Sequence, residues 1–120
     1  MATSKIVKKE KLLWSNPNNS LATGTTITLN SDDYSFLLVE FKLTSADPIE
    51  ANIFPKGTAL RLFMANLSQS QLSDCLIAGR DLTRVSDTKF TANTGVLARL
   101  TGAIATSDSF VFPIAIYGIS

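Results

Sequence analysis

Carboxylates, hydroxyls and one thiol are the groups from which this chain can build chemistry, because its 120 residues include no histidine. That absence removes Ser-His-Asp triads, HExxH zinc sites and imidazole acid–base work together. Cys75 is the single cysteine. A nucleophilic thiol needs a base to become thiolate, and no Cys–His pair can form. The bland alternative is a small buried apolar residue, the usual state of a free cysteine. One cysteine also excludes thiolate zinc clusters and an intrachain disulfide, so nothing argues for an oxidising compartment.

The carboxylates do not form a recognisable pair. Asp32 and Asp33 are adjacent in "NSDD", and neighbours on an extended chain point to opposite sides. Turn capping accounts for them. A calcium site needs about six to eight oxygens, more than this short motif specifies. Asp47 and Glu50 flank Pro48 in a loop, and Asp74, Asp81 and Asp87 show no pairing pattern. The stretch "ATGTT" lacks the layout of a phosphate-binding loop. A two-carboxylate glycoside hydrolase is the one enzyme class left as a remote alternative. No catalytic residue, metal ligand or cofactor is assigned, and the expectation is that the chain is not an enzyme. The rings that can stack on a sugar are Trp14, Tyr34 and Tyr117, whose amphipathic side chains suit binding faces. Each has a structural alternative: Trp14 covering one end of a core, Tyr34 bonding across a corner, Tyr117 in core or interface.

The elements that must position these residues read as β throughout. In "FLLVEFKL", Leu37, Val39, Phe41 and Leu43 alternate with Phe36, Leu38, Glu40 and Lys42, the period-two signature of a strand with one buried face. "TTITL" sets Ile27 and Leu29 against Thr26 and Thr28. "ALRLFMANL" sets Leu60, Leu62 and Met64 against Arg61, Phe63 and Ala65, and "GVLARL" sets Val96, Ala98 and Leu100 against Leu97 and Arg99. "DCLIAGRDLTRV" is a weaker strand in which Gly79 suggests a bulge or bend, and "TKFTA" is a short one. "ANLSQSQLSD" has room for one helical turn. Turn chemistry in "SNPNNS", "NSDD", "SADP", "PKG", "NTG" and "TSD" separates the runs. The expected fold is an all-β, antiparallel, jelly-roll-like β-sandwich of about eight short strands.

Residues 1–11 read as a flexible basic arm, with Lys5, Lys8, Lys9 and Lys11 against Glu10. It is either a solvated tail or an assembly arm that docks on a neighbouring subunit or acidic surface. Residues 12–120 form one domain. A net charge of +1 provides no global basic footprint for nucleic acid. The first residues lack the apolar run of a secretory leader. The final run, "SFVFPIAIYGIS", is shorter than the roughly 20 residues of a membrane helix and contains Pro113 and Gly118. Neither nucleic acid binding nor membrane insertion is expected. That run reads as the last strand. Pro113 favours an edge or a bulge, and Val111, Ala115 and Ile119 lie opposite Phe110, Phe112, Ile114 and Ile116. A strand apolar on both faces needs a second layer or another subunit, which makes Ile119 an assembly candidate.

"LLWSNPNNSLATGTTITLNSDDYSFLLVEFK", followed much later by "FPIAIYGIS", resembles a family of small β modules from tailed bacteriophages and prophages. The resemblance is carried by Leu13, Trp14 and Asn16, by Ser20 and Ala22, and by Thr26, Ile27 and Leu29. Asp33 and Tyr34 follow, and Ile116, Tyr117, Gly118 and Ile119 close it. It covers both ends and leaves residues 44–95 unassigned. It implies a virion structural protein of the fibre or tail type, a homotrimer that contacts other virion proteins and attaches to a bacterial surface glycan. A capsid decoration or head-fibre protein anchored by its arm is the alternative. No catalytic residue is carried over.

Overall fold

The strongest alternation in the sequence becomes the spine of one sheet. The computed structural model describes residues 11–71 and 74–120, which form ten strands in two antiparallel sheets. In β3 (Phe36–Lys42), Leu37, Val39 and Phe41 are buried and the residues between them are not. Its neighbours are β10 (Phe112–Ile119) on one side and β4 (Glu50–Pro55) on the other, and β1 (Lys11–Ser15) completes the order β1-β10-β3-β4. Lys11, read as the end of the arm, already pairs with Gly118. Lys5, Lys8 and Lys9 lie outside the described residues.

The second sheet is built on the long β6 (Leu76–Ser86). β5 (Leu60–Asn66) pairs with residues 76–82 of β6. β8 (Gly95–Arg99) pairs with residues 76–79, and β7 (Lys89–Ala92) pairs from Leu82 onward. A strand has two edges, so β5 occupies one and β7 and β8 share the other end to end. β2 (Thr26–Thr28) then lies outside β7, and β9 (Ile104–Ser107) lies outside β8. The chain changes sheet at β1→β2, β2→β3, β4→β5 and β9→β10. The sandwich read from periodicity is present, with β1, β4 and β9 added to the strands that alternation reveals. β4 escapes notice because Ile53 faces out and Asn52 pairs with the core residue Val39.

Between the sheets lies one core. Leu13, Leu37, Val39, Phe41 and Ile116 from the first sheet meet Ile27, Leu60, Leu62, Leu82 and Phe90 from the second. Burial of such side chains, about 1.5–3 kcal/mol each, is the main stabilising contribution.

Two sequence expectations are corrected. The terminal strand β10 is not an edge: it runs between β1 and β3. Pro113 is tolerated there because the register with β3 shifts between Pro113 and Ala115, a bulge at Ile114. Ladder pairing with β1 also stops at Ser15 and Ala115. The bulge breaks the alternation, so Phe112 pairs with Lys42 while Ile116 pairs with Val39, on opposite faces. Gly79 marks no bulge: the register with β5 runs unbroken past it, and it is the last residue of β6 paired with β8. The irregularity lies at Val85, between Arg84 and Ser86. Around "ANLSQSQLSD", the Ser68 hydroxyl accepts from the Ser70 and Gln71 amides in a turn, and Leu72 and Ser73 are outside the described residues.

Candidate functional site

Strand pairing on the second sheet assembles a groove that no single segment specifies. Its outward side chains are Arg61 and Phe63 from β5, Ile77 and Asp81 from β6, and Val96 and Ala98 from β8. Gly79 sits opposite Phe63 across one pairing and opposite Val96 across the other. With no side chain at Gly79, an open groove of about 560 Å³ runs over the sheet. Phe63 forms one wall and is 56% exposed. Its backbone is held in place, because its amide donates to Asn52 Oδ1 at 3.0 Å.

One end of the groove is polar. Arg61 Nε lies 3.8 Å from Asp81 Oδ1, with both side chains largely exposed. Such a pair is worth no more than about 1 kcal/mol, so its members can exchange partners readily. Asn93 donates through Nδ2 to the Asp81 carbonyl at 3.1 Å and to Thr83 Oγ1 at 2.9 Å. Thr94 Oγ1 is 2.6 Å from Thr23 Oγ1. The Thr23 hydroxyl donates to Asp108 Oδ1 at 2.7 Å, and the Thr23 amide donates to the same oxygen at 3.2 Å. Thr23's hydroxyl, then its amide and the Arg80 charge, hold the Asp108 carboxyl below its ordinary value against a smaller opposing effect of desolvation.

Arg80 underlies this end. It occupies a core-facing position of β6 and is 2% exposed. Its Nε donates to the Asn93 carbonyl at 2.5 Å, and its Nη1 to the carbonyls of Asp108 at 3.0 Å and Phe110 at 3.4 Å. Its Nη2 donates to the Leu21 carbonyl. Asp108 Oδ1 stands 3.9 Å from Nη2. Burial lowers the guanidinium's pKa and the Asp108 charge opposes it. Three loops that share no sequence neighbourhood are thereby tied to one side chain.

The rings and cations singled out in the sequence lie elsewhere. Trp14 is half-buried against the core. The register slips between Leu12 and Trp14, which lets the consecutive residues Leu13 and Trp14 both reach inward. Tyr34 is 5% exposed, and its hydroxyl donates to the Asp87 carbonyl at 2.5 Å. Burial first, then Asp87, pushes its phenol above the ordinary value. A Cβ on Gly118 would lie 3.0 Å from Leu13 Cδ1 and 3.2 Å from Tyr34 Cβ. Asn16 Nδ2 donates to the carbonyls of Ser20 and Pro113. Leu13, Tyr34 and Gly118 thus pack together at one end of the β1–β10 ladder and Asn16 bonds at the other, none of them lining the groove. Tyr117 is half-buried on the other outer face, in a cross-strand row with Leu12, Leu38 and Ile53. Ile119 lies on that side beside Phe36 but is only 7% exposed within the single chain. Lys11 is exposed on β1.

The acidic residues serve local structure, Asp32 and Asp33 through their backbone and Asp47 and Asp87 through their carboxylates. Ser31 Oγ accepts the Asp33 amide, and the Asp32 carbonyl accepts the Tyr34 amide. Thr44 donates to Asp47, and Arg84 donates to Asp87 at 2.6 Å. Cys75 is buried, with its sulfur accepting the Ser68 amide. No group of three or more Cys, Asp or Glu side chains with metal-binding geometry occurs among the described residues. No helix among them is long and apolar enough to cross a membrane. Periodicity had placed Arg61 and Phe63 on one face of their strand; it had not placed them beside Asp81 and Val96. No protein-family model, curated protein or solved structure matches this chain.

Proposed function

We propose that the chain is a structural module of a bacteriophage particle, of the fibre or tail type, that contributes to attachment to a bacterial surface glycan. The observation that carries this reading is that the sandwich offers two opposed outer faces with different chemistry. The first sheet presents an apolar row, Leu12–Tyr117–Leu38–Ile53, with Phe36 in the next row. The second presents the groove with its exposed ring and polar end. A module can be held through the first face and display the second. An apolar sheet face is the kind of surface that packs on a neighbouring subunit, which supports assembly as a homotrimer in contact with other virion proteins. The resemblance of both chain ends to small β modules of tailed phages supports placement on the virion.

Labelling of particles with an antibody to the chain, viewed by electron microscopy, tests the placement. Tail or fibre labelling is the expected result, and labelling of the capsid shell favours a decoration or head-fibre protein. Attachment is tested by competition: purified protein at saturation should reduce phage adsorption to host cells. Undiminished adsorption would overturn the attachment role.

A further inference from the structure

The groove over Gly79 discriminates among ligands by its shape, its charge balance and its hydrogen-bonding capacity. We propose that it binds a neutral pyranose ring, stacked by its C–H face on Phe63 and held at its hydroxyl edge by Arg61 and Asp81. This rests on the attachment reading and names the ligand class and residues that serve it.

The floor and walls come first. A ring lying over Gly79 meets backbone below and Phe63 and Val96 on either side. The phenyl face carries a negative quadrupole and is apolar, and it suits the weakly positive C–H face of a sugar. The groove's volume of about 560 Å³ falls within the range of roughly 300–1,000 Å³ typical of small-molecule sites.

Charge balance selects a neutral ligand. Arg61 and Asp81 are paired one to one at 3.8 Å, so an added charge of either sign meets one attractive and one repulsive partner. Vicinal hydroxyls fit this pair. Each hydroxyl both donates and accepts, so neighbouring ones can donate to the Asp81 carboxylate and accept from the Arg61 guanidinium. The loose, exposed ion pair gives up little when a sugar inserts into it.

The backbone argues against an extended peptide. Both edges of β6 are consumed over residues 76–79 by β5 and β8, so a peptide crossing the groove finds no ladder to join. Recognition there must come from side chains.

Amide NMR spectra of the isotope-labelled chain test the proposal. Glucose, galactose and N-acetylglucosamine serve as neutral probes, with glucuronic acid and glucosamine as charged ones. At least one neutral sugar, titrated through the millimolar range, should shift the amides of Phe63, Gly79 and Val96. Phe63→Ala should weaken that response at least about tenfold, the loss of one stacking contact, and Phe63→Tyr should preserve it. Val96→Glu, which fills the groove from the opposite wall, should abolish it and serves as the second variant if Phe63→Ala proves unfolded. The proposal is overturned if no neutral sugar shifts these amides, if Phe63→Ala responds like the parent, if a charged sugar binds more tightly, or if the sugar-induced shifts fall on the first sheet instead. Adsorption competition separates the two readings. Should the parent protein compete and Phe63→Ala compete equally, the groove proposal falls and attachment stands. Should the parent fail to compete while sugars shift the groove amides, attachment falls and the groove proposal stands.

Discussion

Arg80 and Asp108 meet through the backbone: the guanidinium Nη1 donates to the Asp108 carbonyl oxygen at 3.0 Å. The same side chain reaches the carbonyls of Leu21, Asn93 and Phe110. Removing it takes a donor from each of these carbonyls, the Leu21 one in a buried site, while the Asp108 carbonyl keeps the Leu21 amide. Arg80→Met should therefore destabilise the fold by about 3–5 kcal/mol, read from urea denaturation. Arg80→Lys should recover little, because a single ammonium cannot reproduce the planar fork. A loss below about 1 kcal/mol in Arg80→Met would show that water satisfies these carbonyls equally well.

Gly95 and Phe110 approach so closely that a Cβ on Gly95 would lie 2.1 Å from the Phe110 carbonyl oxygen. Backbone must move to admit it, so Gly95→Ala should cost more than about 2 kcal/mol. Gly24 is the control. Its φ is +89° and nothing lies within 4 Å of its missing Cβ, so Gly24→Ala should cost only the strain of left-handed backbone, about 1 kcal/mol. Equal costs at both sites would contradict the close approach.

Asp108 makes part of the stability depend on pH. Its folded pKa is depressed, mainly by the Thr23 hydroxyl. The sign follows from linkage: the contribution is present above the unfolded carboxylate value of about 4 and is lost as pH falls through the folded value. Melting temperature should fall on acidification below about pH 4. Thr23→Val should lower stability at neutral pH and flatten that slope, because the lost hydrogen bond favours only the ionised carboxylate. An unchanged acid slope in Thr23→Val would assign it to other carboxylates.

Ile116 and Ile53 separate folding from assembly. Ile116 is fully buried in the shared core, and Ile116→Ala should cost about 2–5 kcal/mol, with Ile116→Asp unfolding the domain. Ile53 is exposed on the apolar row of the first sheet. Ile53→Asp should leave the fold intact and reduce self-association in light scattering. Ile119, expected from the sequence to report assembly, is already covered within one chain. Its substitution should register in stability as well. A monomeric parent protein at micromolar concentration would remove the assembly role of this face.

The faces of individual strands were legible wherever one side alone was apolar. Leu37, Val39 and Phe41 turn inward together, as do Leu60 and Leu62. In β8 the larger apolar set pointed the other way: Leu97 is buried, and Val96 is exposed beside Gly79. Alternation assigns residues to opposite faces but does not say which face is covered. Pro113 correctly signalled an irregularity and wrongly suggested an edge. Where β10 pairs depends on β1, about a hundred residues away in the chain, and no local pattern encodes that partner.

By itself, the sequence determined an all-β chain, the inward residues of its clearest strands, and the chemistry it lacks for want of histidine. Those are local properties, set by side-chain alternation and residue type. Tertiary structure alone decided that Arg80 caps carbonyls from three loops, that Gly118 makes room for Leu13 and Tyr34, and that Phe63 stands across Gly79 from Val96. Each of these depends on long-range strand register, which fixes distances between residues far apart in the chain. Register arises from the cooperative burial of the whole core, so the groove exists only once the sandwich has closed.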